Sequence, residues 1–397
     1  MSRNAYPQRI AVVHDWLYCY GGAERVLEQI LEVFPNADIY TVIDNLPPEE
    51  RGFLGGRPVH TSFLQKFPWA RTHHRHYLPL MPLAVEQFDL SSYDIVISSS
   101  YAVAKGVITG PRQLHVSYVH SPMRYAWDLQ HEYLSQAKLT SGPKAWMARW
   151  LLHKMRLWDL RTANGVDTYL ANSRFVAQRI RKIYRREAQI IYPPVTVDDF
   201  TLGEAHEDFY LTVSRLVPYK RIDLIVETFK SLPERRLVVI GSGPEADRIA
   251  AKAGKNVTLM GFQPNSVVQD HMRRARAFIF AAEEDFGIVP LEAQASGTPV
   301  IAFGRGGALE TIRDLDDPMP TGLFFHQHST DNLRDAIRRF EANAGRYTPQ
   351  NCRRHALSFS AARFRQEFRA AVDAAWDEFL SFGDDRKRLP PVAVLSA

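Results

Sequence analysis

Residues 277–295 read Ala277-Phe278-Ile279-Phe280-Ala281-Ala282-Glu283-Glu284-Asp285-Phe286-Gly287-Ile288-Val289-Pro290-Leu291-Glu292-Ala293-Gln294-Ala295. Ala277–Phe280 is a short apolar run that suits a buried strand. Proline is tolerated in the first turn of a helix, so Pro290–Ala295 is expected as a short helix. A strand, a loop and a helix in that order make the repeating unit of a parallel sheet, whose neighbouring strands need a crossover to run the same way. Glu284 is then expected in the loop beyond the strand, and Glu292 in the first helical turn. Carboxylates so placed can accept hydrogen bonds from sugar and ribose hydroxyls. Dipole compensation alone would account for Glu292, but it does not account for Glu284-Asp285 beside an apolar run.

The same alternation extends both ways. Toward the amino terminus, strands are expected at Phe209–Val213, Arg236–Ile240 and Val257–Met260, with helices at 221–231, 244–253 and 266–274. Pro299–Ala302 follows as another strand. Pro193-Pro194 and the acidic stretch 197–208 interrupt the pattern and read as an interdomain linker. Before them a second series appears: strands at Arg9–Val13, Ala37–Val42, Tyr93–Ser98, Gln113–Val119, Val166–Ala171 and Ala188–Ile191, with helices at 23–34 and 173–184. A final helix is expected over 360–379. Two βαβ series in one chain of 397 residues imply an α/β protein of two doubly wound domains, because one core rarely grows that large. Ligands of such sheets bind beyond the carboxyl ends of the strands, so a cleft between the domains is expected.

Composition sets bounds. Hydrophobic residues at 45% and charged residues at 23% are ordinary for a globular protein. No stretch reaches the roughly 18 apolar residues of a membrane-spanning helix, and Ile10–Val13 is too short for a signal sequence. Cys19 and Cys352 have no metal or redox spacing, which suits a reducing, cytoplasmic setting. The net charge of +5 is unevenly spread. Between Lys144 and Arg186 stand eleven cations and only Asp159 and Asp167, interleaved with Trp146, Trp150 and Trp158. Arg71-Thr-His-His-Arg75-His76 is a second basic knot. Such a face could meet nucleic acid, an anionic substrate or anionic lipid; the interleaved tryptophans suit an anionic membrane surface, with no nucleic-acid partner expected, and a solvated helix face is the plainer reading.

Four more stretches carry chemistry. Gly21-Gly22-Ala23-Glu24 follows the first strand, where helix amides can approach an anion; a turn needing positive φ explains the glycines equally well. Ser214-Arg215-Leu-Val-Pro-Tyr-Lys220-Arg221 places two cations at a strand end and a helix entrance, where they can clamp a diphosphate as it leaves. Gly304-Arg305-Gly306-Gly307 is a further backbone-rich helix start. Asp314-Leu-Asp316-Asp317 resembles a D-x-D metal site but reads as solvated loop, and no metal or other cofactor is expected.

The ensemble resembles the retaining glycosyltransferases of family 4, which have the GT-B fold of two Rossmann-like domains facing across a cleft. The resemblance covers nearly the whole chain. It rests on the E-x7-E element Glu284–Glu292, on Arg215 and Lys220, on Gly241-Ser-Gly243-Pro-Glu245, on Gly297-Thr-Pro299-Val300, on Gly306-Gly307, on Gly21-Gly22-Ala23-Glu24 and on His120 in Tyr118-Val-His120-Ser-Pro122. It implies an acceptor-side domain over 1–195, a nucleotide-sugar domain over 196–358, a helix over 359–382 crossing back to the first domain, and a flexible tail over 383–397. It implies catalytic roles for His120, Glu284, Arg215 and Lys220. Donor binding would fall to Gly21, Gly22, Arg215, Lys220, Gly241, Gly261, Phe262, Glu284, Phe286, Gly287, Ile288, Val289 and Glu292. Within that set Arg215 and Lys220 would hold the diphosphate, Glu284 the sugar, and Glu292 the ribose. Tyr118–Asp128 is similar to bacterial mannosyltransferases of surface polysaccharides. The expected reaction moves a hexose, best mannose from GDP-mannose, to a growing, lipid-linked saccharide at the inner membrane face. A UDP-sugar donor or a nucleotide-sugar 2-epimerase is the alternative.

Overall fold

The computed structural model describes residues 8–203 and 206–385. The chain divides into two compact units. One takes the chain up to Asn172, Val176–Ile191 and the chain from Arg365 onward; the other takes Ser173–Phe175 and Tyr192–Phe364.

The first unit is a seven-stranded parallel sheet. Its strands are β1 (Ile10–His14), β2 (Asp38–Thr41), β3 (Val59–Thr61), β4 (Ile95–Ser100), β5 (Leu114–Val119), β6 (Thr168–Ala171) and β7 (Gln189–Ile190). Their order is β3-β2-β1-β4-β5-β6-β7. Every residue of β1, β4 and β5 is buried. That is why Ile-Ala-Val-Val-His reads as a continuous run instead of an alternating one: a central parallel strand has a covered face on each side.

The second unit is a six-stranded parallel sheet. Its strands are β8 (Tyr210–Val213), β9 (Leu237–Ile240), β10 (Val257–Leu259), β11 (Ala277–Phe280), β12 (Val300–Phe303) and β13 (Gly322–Phe325). Their order is β10-β9-β8-β11-β12-β13. Two hydrophobic clusters cover its faces, one around Leu211, Phe278 and Phe324, the other around Leu237, Ile279 and Phe325. In each sheet the strand order reverses once, between β1 and β4 and between β8 and β11. At such a reversal the crossover helices diverge to opposite faces and leave a crevice at the carboxyl ends.

Several elements differ from the sequence reading. The stretch 197–208 is no linker at its start. Val195, Val197 and Phe200 are buried in the second unit's core. The Arg353 guanidinium holds them by donating to the carbonyls of Val197 (2.8 Å), Phe200 (2.5 Å) and Ala295 (2.8 Å). By contacts the main span of the second unit is Tyr192–Phe364, a few residues longer at each end than the expected 196–358. The final helix runs Ala361–Asp385, and from Arg365 it belongs to the first unit. Phe368 there packs edge-on against Phe34 and Tyr118. The expected tail over 383–397 lies outside the described residues, apart from 383–385, which continue this helix. The edge strands β3 and β13 and the helices Gly142–Thr162, Thr330–Ala342 and Pro349–Leu357 are additions to the sequence reading.

Candidate functional site

At the reversal of the first sheet, polar side chains gather where the apolar strands end. Asp15 follows β1 and is fully buried. Its carboxylate accepts the amides of Tyr101 (2.6 Å), Ala102 (2.9 Å), Val103 (2.5 Å) and Ala104 (2.7 Å). Burial pushes this carboxyl above its usual range, against the opposing pull of those amides and of His14. Four charge-assisted bonds fix the loop after β4. They hold the Tyr101 ring edge-on to His14 and His120.

His120 follows β5. Its Nε2 lies 2.8 Å from Ser99 Oγ. Ser99 Oγ is also 3.1 Å from His14 Nδ1, and His14 Nε2 is 3.4 Å from Glu24 Oε1. Burial, with the nearby His14, lowers His120 to about 3, so its imidazole is neutral. Gly21-Gly22 open the helix Gly22–Val33. Gly21 is in extended backbone and neither glycine has positive φ, so a left-handed turn does not explain them. The Gly21 amide donates to Glu24 Oε2 (3.0 Å), half of a capping box. The expectation that Gly21 offers its amide to an anion is thereby corrected, since Glu24 occupies it. The amides of Gly22 and Ala23, inside the first turn, have no helix partner by geometry.

At the reversal of the second sheet, the loops after β8 and β11 meet. Lys220 closes a short 3-10 turn, Pro218–Lys220, and Arg221 enters the helix Ile222–Lys230 in left-handed backbone. Lys220 forms an ion pair with Glu284, the two side chains being 17% and 19% exposed. The sequence reading gave these residues separate partners; here they hold each other. Arg215 is exposed in the same loop. That loop is paired with the one after β9: Ser214 donates to Ile240 O (3.0 Å) and Leu216 to Ser242 O (2.9 Å). Gly241 has φ +139°, and a Cβ there would stand 1.8 Å from the Ser214 carbonyl. Its glycine is therefore required by the approach of the Arg215 loop. Gly261 carries φ +68° with open space around it, and its carbonyl accepts from Gly241 N–H (2.8 Å). Phe262 beside it is 79% exposed.

The E-x7-E loop is pinned by its own aromatic ring. Phe286 is buried, stacked on Tyr192 and tilted against Phe359. Gly287, at φ +91°, caps a helix running Ile288–Ala295. This helix starts two residues before the expected Pro290, because Ile288 and Val289 pack on the core and extend it. Glu292 therefore lies in the second turn, and the first turn holds no acid. Dipole compensation, confined to the first turn, no longer accounts for Glu292, which is buried.

Gly304-Arg-Gly306-Gly307 packs closely against the Glu284 loop. The helix after it, Ala308–Thr311, has four residues. The Gly307 amide donates to the Glu284 carbonyl (2.8 Å). A Cβ at Gly306 would lie 2.4 Å from Glu284 O, and one at Gly307 2.3 Å from Phe286 Cα. These glycines let the Glu284 loop lie close. Asp314 and Asp317 cap their own turn, accepting from the amides of Leu315 and Met319. Among the described residues no group of three or more His, Cys, Asp or Glu could hold a metal ion.

Two α/β units, each with a polar cluster at its strand reversal, define a GT-B fold. The Anabaena HepE structure in complex with UDP and glucose matches with TM-score 0.67 at 16% identity, covering 92% of this chain and 99% of that one. Sucrose-phosphate synthase from Thermosynechococcus elongatus matches with TM-score 0.71 at 16% identity, over 94% and 100%. The family then follows from sequence: residues 20–199 match the model of Glycosyltransferase Family 4, and residues 198–358 that of Glycosyl transferases group 1. The chain belongs to the family 4 glycosyltransferases of GT-B fold. Curated relatives include D-inositol 3-phosphate glycosyltransferase of Mycobacteroides abscessus, 28% identical over 51% of this chain and 50% of its own length. A GDP-mannose-dependent phosphatidylinositol monomannoside mannosyltransferase of Mycobacterium tuberculosis is 29% identical over 45% and 53%. Sulfoquinovosyl transferase SQD2 of Arabidopsis thaliana is 24% identical over 84% and 66%. The chain thus matches about half to two thirds of the length of these relatives.

Proposed function

We propose that this protein transfers a hexose, with retention, from a nucleotide-sugar donor to a growing saccharide. The observation that carries the reading is the meeting of Lys220 and Glu284 at the strand reversal of the second sheet. A diphosphate approaching Lys220 replaces the carboxylate as its partner, which frees Glu284 to accept from sugar hydroxyls. Arg215 adds a second cation, Glu292 takes the ribose, and exposed Phe262 offers a face for the base. In the transition state the leaving diphosphate gains charge, which Arg215 and Lys220 stabilise, and its oxygen takes the proton of the attacking acceptor hydroxyl. With two fixed cations in this role, the transfer needs no resident metal, and activity survives a chelator.

GDP-mannose is the proposed donor, supported by the GDP-mannose-dependent mannosyltransferase among the relatives. The UDP and UDP-glucose held by solved neighbours favour a UDP-sugar as the second reading. Incubating the protein with each labelled nucleotide sugar, with and without saccharide acceptors, tests both. Acceptor-dependent release of nucleoside diphosphate supports transfer; conversion of the donor sugar without acceptor would mean an epimerase instead.

The acceptor is proposed to be lipid-linked and reached at an anionic membrane surface. In the helix Gly142–Thr162, Met155 is buried and Leu152 and Trp158 pack on the core, but Trp146, Met147, Trp150 and Leu157 are exposed, Trp146 by 72%. Lys154 lies over the Trp150 ring. Exposed aromatics among cations suit an interfacial position. Among the described residues no helix is long and apolar enough to cross a membrane. Flotation with anionic vesicles tests the attachment, and its absence at low salt would end this part of the proposal.

A further inference from the structure

We infer that Glu24, His14 and Ser99 are positioning residues that decide which ring nitrogen of His120 carries its proton. The inference rests on the proposed sugar transfer, with His120 in the catalytic role that the family resemblance implies for it. The four side chains form one line across the strand reversal of the first sheet: Glu24 Oε1 to His14 Nε2 (3.4 Å), His14 Nδ1 to Ser99 Oγ (3.1 Å), Ser99 Oγ to His120 Nε2 (2.8 Å). Glu24, His14 and Ser99 are all buried. Glu24 is tied at its other oxygen to the Gly21 amide (3.0 Å), so the line starts at the glycine pair and ends at His120.

Counting protons fixes its direction. A carboxylate only accepts, so His14 Nε2 carries a proton and donates it to Glu24. His14 Nδ1, 3.1 Å from Ser99 Oγ, is assigned as the acceptor of the Ser99 hydroxyl proton. Ser99 has one proton and has now used it, so its oxygen can only accept from His120. His120 Nε2 therefore bears the proton, and Nδ1 presents a lone pair. Neutral His120 has one proton to place, so the line chooses its tautomer. A lone pair at Nδ1 accepts the proton of a sugar hydroxyl; a proton there would instead donate to the hydroxyl oxygen and leave the hydroxyl proton without this acceptor.

The test combines a spectroscopic and a kinetic readout. In protein labelled with 15N-histidine, the His120 ring signals, assigned by their loss in His120→Gln, report which nitrogen is protonated. The expected wild-type pattern is Nε2–H with bare Nδ1. Ser99→Ala, checked for an unchanged melting temperature, should mix the two tautomers and lower kcat about tenfold to hundredfold with little change in donor KM. Ser99→Thr, which keeps the hydroxyl, should restore both. A wild-type His120 protonated on Nδ1, or a Ser99→Ala protein with unchanged tautomer and kcat, overturns the inference. The wild-type spectrum needs no variant to fold and no turnover. If the wild type transfers no sugar while the expected tautomer is found, the functional reading fails and the relay stands.

Discussion

Two lysine–carboxylate pairs, one in each unit, show opposite designs. Lys105 and Asp159 are 2% and 0% exposed and 2.8 Å apart. The Lys105 ammonium also donates to Asp159 O (2.7 Å) and Thr162 Oγ1 (2.9 Å), which uses its three protons. The Asp159 carboxylate further accepts from Trp127 Nε1 (2.7 Å) and Tyr184 OH (3.0 Å). Lys220 and Glu284 are each nearly a fifth exposed, at the end of a strand and not behind a helix. A buried charge costs several kcal/mol to desolvate, so it persists only when every proton and lone pair is matched. Such a pair has nothing left for a ligand. A pair that still touches solvent can exchange its partner for a charged one that arrives. Burial and saturation, not the presence of the charges, separate the anchor from the site.

The largest expected effect tests the anchor. Asp159→Asn leaves Lys105 charged and uncompensated, and stability should drop by about 3–5 kcal/mol. Chemical denaturation followed by far-UV circular dichroism measures it. A loss below about 1 kcal/mol would mean the pair is not an anchor.

Acid should unfold the first unit through its buried histidines. His115 lies inside β5 against Ser98 Oγ (2.9 Å), and burial lowers it to about 4. The unfolded chain has an imidazole near ~6.5, so between the two values the unfolded state binds more protons. Stability is full above ~6.5 and falls as pH drops toward 4. The expected loss there is about 3 kcal/mol from this residue, and burial of His355, also lowered to about 4, adds in the same direction in the second unit. A series of melting curves from pH 7.5 to 4 reads the slope, and His115→Gln should flatten it.

A smaller effect separates the two glutamates of the E-x7-E element. Glu292→Gln should weaken bare nucleoside diphosphate and intact donor alike, by about 1.5–3 kcal/mol. Glu284→Gln frees Lys220 of its competing carboxylate. It should tighten the bare nucleotide while weakening the intact donor. Isothermal titration of both variants with both ligands tests this. Equal weakening of the bare nucleotide by the two changes would contradict the exchange of partners.

What the sequence showed follows from where the information lies. Buried parallel strands are local apolar runs, so β1, β8 and β11 were legible almost to the residue. β3, Val59-His60-Thr61, is a largely exposed edge strand with one apolar residue and so leaves no run to read, and β13 opens on Gly322, a residue depleted in strands. Lys220 and Glu284 were each readable from loop motifs, yet their pairing was not, because it depends on β8 and β11 becoming neighbours. The Lys105–Asp159 anchor joins residues 54 apart and leaves no local mark. His14-Asp15 did leave one: two polar residues closing an apolar strand ask for partners, and the loop after β4 and the Ser99 hydroxyl supply them. The glycines misled most. Gly306 and Gly307 look like an anion cradle but serve close backbone packing, a need visible only once the Glu284 loop is in place.

The most direct measurement compares Lys220→Ala with the wild type in single-turnover sugar transfer, alongside its melting temperature. The account predicts an unchanged melting temperature, because the Lys220–Glu284 pair still touches solvent, and a rate lower by about 10²–10³, because one fixed cation at the leaving diphosphate is lost. A Lys220→Ala protein that transfers sugar at the wild-type rate would contradict it.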